Sequence, residues 1–186
     1  MGEPLPNNTL EQPLPTPLAP HQQTVVAFQN SCHALCQRIF THLATALATP
    51  PDWFTSRHDR SQGPSGTIFR MLYYPAVTPQ DGDGHEDRAA DLRAGAHSDF
   101  GSMTLLFQLP GQPGLEIKTP EGEWASVPVD PSGSSSDDPA SLPILLNIGD
   151  LLEDVSIPIP IPHPSRHPMV QRDISHGKQK AMHAKN

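Results

Sequence analysis

The chain has 186 residues, and that length sets one domain with a real core as the starting expectation. Its 23 prolines are more than twice the usual frequency of about 5%, which excludes long uninterrupted helices and favours strands, turns and some disorder. The net charge of −8 is uneven. Residues 154–186 hold five basic side chains against Asp154 and Asp173, a surplus of +3 that leaves −11 on the remainder. An acidic body argues against nucleic acid or an anionic membrane as partner.

No apolar run approaches the roughly 20 residues of a membrane span, and the N-terminus lacks the basic-then-apolar pattern of a signal peptide. A cytoplasmic location is therefore expected, and the sequon Asn7-Asn8-Thr9 is read as idle. Cys32 and Cys36, four apart in a helical pattern, are poorly placed for a disulfide and are read as reduced thiols.

Residues 1–22 contain six prolines and no apolar periodicity, and are expected to be a flexible lead-in without a folded element. From Thr24 the pattern changes. Val25, Phe28, Cys32, Leu35, Ile39, Leu43 and Ala46 recur at spacings of three and four, with Cys36, Phe40 and Leu47 widening the stripe. This predicts an amphipathic helix of about 24 residues that stops at Pro50-Pro51. A short second helix is expected over Pro51–Phe54, with proline in its first turn.

Thr67–Tyr74 is apolar and strand-like, and Pro75 ends it. Residues 76–94 are charged, glycine-rich and non-periodic, as in an exposed loop. Strands are then predicted around His97–Asp99 and over Met103–Gln108, Leu115–Lys118, Trp124–Val127 and Ile144–Ile148. Pro110–Gly114 and Pro120–Gly122 supply turns, and residues 132–141 form a polar loop. Gly149–Glu153 is read as a strand end passing into the next element. The order points to a mainly β molecule with an N-terminal helix (α+β), an antiparallel sandwich or jelly roll. From Ile157 to Pro164 proline alternates with isoleucine and then histidine, a pattern that neither a helix nor a central strand accommodates. The chain from there to Asn186 is expected to be extended or disordered.

The chemistry concentrates in His97-Ser98-Asp99. On a strand, side chains alternate faces, so His97 and Asp99 would project to one side while Ser98 points away. An imidazole nitrogen and a carboxylate oxygen make two corners of a metal site, and two His plus one carboxylate form the facial triad of non-haem Fe(II) oxygenases. Alone, a His-x-Asp pair is as often plain surface. Other clusters are weaker. Cys32, His33, Cys36 and His42 suggest zinc, but both cysteines fall on the helix's apolar stripe, so core packing is preferred. Asp81, Asp83, Glu86, Asp87 and Asp91 lack calcium-loop spacing and are read as a solvated face.

The run from His97 to Leu106 resembles the metal-binding segment of the isopenicillin N synthase-like 2-oxoglutarate/Fe(II) dioxygenases. Three more stretches agree in order: Arg70–Pro75, Gly114–Ile117 with Gly122-Glu123-Trp124, and Leu145–Glu153. The resemblance implies a double-stranded β-helix, complete only in part because the C-terminal strands are missing, over residues 23–153. It also implies Fe(II) and 2-oxoglutarate as cofactor and co-substrate, and oxidation of a small-molecule substrate with O2 to give succinate and CO2. His97 and Asp99 match the first two iron ligands, and Tyr74 matches the tyrosine that contacts 2-oxoglutarate. Leu72 stands where many plant members have asparagine, and Arg70 is as readily framework as function.

Beyond Asp150 the family carries a distal histidine and then an Arg-x-Ser pair, and neither is recognisable. His163 lies between Pro162 and Pro164 and His167 precedes Pro168, so both are read as tail histidines rather than ligands. Arg172 and Ser175 are not spaced as Arg-x-Ser. Asp154-Val155-Ser156 can be encoded by GAT-GTG-AGT, which contains a splice-donor sequence, so residues 154–186 are hypothesised to be translated intron or a shifted frame. A spliced transcript retaining the segment would refute that. Impaired catalysis is expected, with a non-catalytic fragment or binding protein, or another cupin-like metal oxygenase, as the alternatives. Neither the substrate nor the oligomeric state follows from the residues.

Overall fold

The computed structural model describes residues 1–63, 65–74, 92–109, 111–130, 143–154 and 171–174. They divide into two compact units, Met1–Leu72 and Tyr73–Asn186.

The first unit is built on helix α1, Gln22–Ala46, within two residues of the predicted start; its 25 residues contain no proline, so the exclusion of long helices drawn from the overall proline content fails here. Its deepest line is Val26, Gln29, Phe40 and Ala44, which runs along one flank of the predicted apolar stripe. Val25, Phe28, Cys32, Leu35, Ile39 and Leu43 are less deeply buried. Phe40 explains the offset: it stacks on Phe54 at 6.0 Å and on the His58 ring at 4.1 Å, drawing the helix round toward the segment after Pro51. The short helix expected over Pro51–Phe54 is a turn there, followed by a 3₁₀ helix over Thr55–His58.

Residues 1–22 do more than lead in. They include a 3₁₀ turn, Ala19–His21, and are tied to the rest of the unit by polar contacts. Gln29 donates to the Gly2 carbonyl at 3.0 Å, and Arg60 reaches Glu3 at 2.9 Å and Asn30 at 2.8 Å. Proline-rich chain has few backbone donors of its own, so side chains from α1 and the 3₁₀ region supply the partners. Thr67–Tyr74, predicted as a strand, forms none. The backbone pairs at Phe69 with Met1, where the amide donates at 2.8 Å and the carbonyl accepts at 3.1 Å. One paired residue does not make a ladder.

The second unit is antiparallel β. A four-stranded sheet has the order β1-β6-β3-β4, built from Leu92–His97, Gln171–Ile174, Leu115–Lys118 and Trp124–Ser126. A two-stranded sheet pairs β2, Met103–Leu106, with β5, Leu145–Ile148, in regular register from Met103↔Ile148 to Leu106↔Leu145. A short helix α2, Asp150–Asp154, follows β5 directly. Strands β2 to β5 lie where alternation and turns placed them. Three expectations need correcting. Leu92–Ala94, expected to close the loop of residues 76–94, instead open strand β1, paired to β6. Strand β1 ends at His97, so Asp99 follows the strand instead of sharing its face. The segment after Asp154, expected to carry no regular element, contributes β6, paired on both sides to β1 and β3. Gln171-Arg172-Asp173-Ile174 belongs to the first long proline-free stretch after the Ile-Pro run, which leaves its backbone amides free to join ladders.

Candidate metal site in the second unit

The buried centre of the second unit is polar. Its buried residues among those described are Leu115, Glu116, Asn147, Gly149 and Gln171, and only Leu115 has an apolar side chain. Buried amides are costly unless paired, and Asn147 and Gln171 both donate to the Asp99 carboxylate, which points to a site.

Three elements hold it together. His97 closes β1, and the β1–β6 pairing is irregular between Ala94 and His97, a distortion that re-aims side chains at a strand end. The His97 Nδ1 lies 2.7 Å from the Gly95 carbonyl. A carbonyl only accepts, so Nδ1 carries the proton and Nε2 is left with a free lone pair. That nitrogen is 3.9 Å from Asp99 Oδ1. Although Asp99 is not in the strand, the turn after β1 brings the two groups to the same side.

The turn is clamped from below by the β5–α2 junction. The Asp150 amide donates to the Asp99 carbonyl at 2.8 Å, and the Gly149 amide to the Ser102 carbonyl at 3.1 Å. Ser98 Oγ donates to Asp150 Oδ2 at 2.9 Å. Position 149 must be glycine. A Cβ there would collide with the Gly101 carbonyl oxygen and come within 2.7 Å of that of Asp99. The pairing of the His97 run with Asn147–Asp150 in sequence thus reflects direct contact.

Around the Asp99 carboxylate, Asn147 Nδ2 donates to Oδ2 at 2.8 Å and Gln171 Nε2 donates to Oδ1 at 3.1 Å. Burial by itself raises the Asp99 carboxyl. Hydrogen bonds from Thr104, Asn147 and Gln171 oppose it, and the group is held below the usual carboxylate range. An ionised carboxylate beside an imidazole with a free Nε2 is a donor pair ready for a divalent cation. The fit is incomplete by the family's usual standard: no group of three His, Cys, Asp or Glu comes together among the described residues. Two buried side-chain oxygens at the site, Asn147 Oδ1 and Gln171 Oε1, have no hydrogen-bond partner among the described residues.

Of the other predicted site residues, Tyr74 is 43% exposed at the end of the extended segment. His163, His167 and Ser175 lie outside the described residues, and only the backbone of Arg172 is described. Asn147, Gly149, Thr104 and Gln171 were not singled out from sequence. A lone amide inside the apolar run Leu145-Leu146-Asn147-Ile148 was the signal available for Asn147. Gln171 had none.

In the first unit, Cys32 and Cys36 are free and half-buried, and burial raises both thiols, as befits inert packing rather than zinc. An open polar cleft of 310 Å³ there is lined by His33, Gln37, Asp52, Thr55, Ser56 and Asp59. No helix among the described residues is long and apolar enough to cross a membrane.

Residues 66–156 match the 2OG-Fe(II) oxygenase superfamily. UPF0676 protein C1494.01 of Schizosaccharomyces pombe is 34% identical over 140 residues, which are 73% of this chain and 37% of that protein. The 2-oxoglutarate-dependent dioxygenase 11 of Oryza sativa subsp. japonica is 31% identical over 144 residues, 76% of this chain and 33% of its own length. Among solved structures, a full-length Neurospora crassa protein in complex with alpha-KG and 5-formyluracil is similar with a TM-score of 0.57 at 23% identity. That likeness spans 88% of this chain and 45% of that one, and it bears on the fold. The chain spans 37% and 33% of the length of these two curated relatives.

Proposed function

The chain belongs to the 2OG-Fe(II) oxygenase superfamily, and from that premise we propose that its second unit is a partial double-stranded β-helix built to oxidise a small organic substrate with O2 and 2-oxoglutarate. The family uses Fe(II) and 2-oxoglutarate; together they supply the oxidising power, with succinate and CO2 as co-products. In this chain His97, through Nε2, and Asp99, through its carboxylate, are the residues that would hold the iron. Tyr74 would contact 2-oxoglutarate. Asn147 and Thr104 keep Asp99 ionised and oriented, and the Gly149-Asp150 junction fixes the turn that carries it.

The observation that carries this reading is the state of the donor pair. Hydrogen bonds from Thr104, Asn147 and Gln171 hold Asp99 below its usual range, and the Gly95 carbonyl beside Nδ1 favours the His97 tautomer that leaves Nε2 free. The distal histidine and the Arg-x-Ser pair are not recognisable, so weak Fe(II) binding and impaired turnover are part of the proposal. The loss of a bidentate arginine anchor would further loosen 2-oxoglutarate. We place the protein in the cytoplasm, with an acidic surface suited neither to nucleic acid nor to anionic membrane.

The absence of a third His or carboxylate among the described residues favours one other reading, a non-catalytic binding protein. Anaerobic titration with Fe(II) and 2-oxoglutarate separates the two. The proposal expects a metal-to-ligand charge-transfer band that His97→Ala abolishes. A folded protein that develops no band supports the non-catalytic reading, and metal binding indifferent to 2-oxoglutarate would indicate a different cupin-like oxygenase.

A further inference from the structure

Gln171 is the described residue whose placement the proposed function leaves unexplained. It stands on β6 opposite His97 of β1 and Ile117 of β3, in the middle of the four-stranded sheet. The residue is 8% exposed, and its Nε2 lies 3.1 Å from Asp99 Oδ1. The same oxygen is 3.9 Å from His97 Nε2, so three side chains meet at one atom. Gln171 Oε1 is buried with no hydrogen-bond partner among the described residues, so the hydrogen bonding seen here uses only one end of the amide.

We propose that Gln171 is the third protein donor of the metal centre, through its side-chain carbonyl oxygen, completing a His97–Asp99–Gln171 set. The proposal rests on the reading of His97 and Asp99 as metal ligands. The terminal torsion of glutamine is broad and nearly two-fold. A half-turn about it exchanges Nε2 for Oε1 and leaves an oxygen beside Asp99 Oδ1. Without a cation two oxygens repel, and the amide presents its N–H instead, as observed here. With a cation between them the preference reverses.

The spacing suits that exchange. Metal–oxygen bonds of about 2.1 Å in an octahedral site put adjacent donors about 3.0 Å apart, close to the 3.1 Å between Gln171 Nε2 and Asp99 Oδ1. The longer His97 separation closes by a modest ring movement, which its 45% exposed side chain permits. A carbonyl oxygen is a hard, neutral donor, acceptable to Fe(II), Mn(II) or Co(II) but a weaker ligand than imidazole. Asn147 already holds the other Asp99 oxygen, so the carboxylate does not need Gln171 for its orientation.

The full chain, loaded anaerobically with Co(II), gives an affinity by absorbance. The Cu(II) form, examined by electron spin-echo spectroscopy, counts coordinated imidazoles. The wild type should show one imidazole. Gln171→Leu should weaken Co(II) binding by about tenfold or more, the loss usual even for an outer partner of a metal ligand. Gln171→His should restore affinity to wild-type level or tighter and show a second coordinated imidazole, because position 171 then offers a nitrogen to the same metal. Circular dichroism checks that each variant folds, and Gln171→His stays informative if Gln171→Leu does not. One imidazole in Gln171→His overturns the proposal, as do two in the wild type, which would identify another histidine as the third ligand. In both of those cases, loss of binding in His97→Ala leaves the reading of His97 intact. Binding unaffected by His97→Ala removes that reading and this proposal together.

Discussion

At the scale of single residues, Gly149 decides whether the donor pair exists at all. The close approach of the Gly101 and Asp99 carbonyls leaves no volume for a side chain. Gly149→Ala should therefore push the turn away from β5 and lower stability by about 1–3 kcal/mol, the usual cost of overpacking. It should also weaken metal binding, although residue 149 offers no ligand. Urea denaturation and a Co(II) titration check the two effects. A variant equal to wild type in both would mean that the junction does not position Asp99. The sequence made His97 and Asp99 visible because their residue types are those of metal ligands. It did not disclose Gly149 or Gln171, because what matters there is the approach of backbones and strands distant in the chain.

At the scale of elements, α1 and the segments around it make a polar junction as well as an apolar one. His33 Nδ1 lies 3.4 Å from Glu3 Oε1, and its Nε2 is 3.3 Å from the Gln37 amide nitrogen, which also donates to the His58 carbonyl. Burial lowers the His33 pKa most, Arg60 and His58 lower it further, and Glu3 pulls the other way without prevailing. The folded state thus binds this proton less readily than the unfolded chain. The stability from His33 is complete above the unfolded imidazole value of about 6.5 and is lost as pH falls below it toward the depressed folded value. The denaturation midpoint should drop as pH falls below about 6.5, and His33→Gln should flatten that part of the profile. A slope unchanged in the variant would assign the pH response elsewhere.

The elements also show where sequence patterning holds and where it fails. Helix α1 and strands β2 to β5 follow the apolar period and the turn residues closely. Thr67–Tyr74 has the right residues for a strand, yet a strand also needs a partner along its length, and Phe69 with Met1 is the pairing seen. Strand β6 shows the converse. Gln171–Ile174 has no apolar alternation, and its membership comes from lying between β1 and β3 with their ladder groups available on either side.

At the scale of the whole molecule, the match to the family covers part of this chain, and this chain covers part of its relatives. Residues 66–156 match the superfamily, and the relatives extend well beyond what this chain spans. Within the second unit, Phe100 is 91% exposed and follows Asp99 directly in the chain.

The central claim is that His97 and Asp99 form one metal centre that 2-oxoglutarate recognises. Anaerobic calorimetry of Fe(II) binding, with and without 2-oxoglutarate, tests it on the full chain against His97→Ala and the near-isosteric Asp99→Asn. The wild type should bind one Fe(II), more tightly with 2-oxoglutarate present, and both variants should lose that heat while remaining folded. Equal Fe(II) binding in all three proteins, or a wild type indifferent to 2-oxoglutarate, would contradict the account.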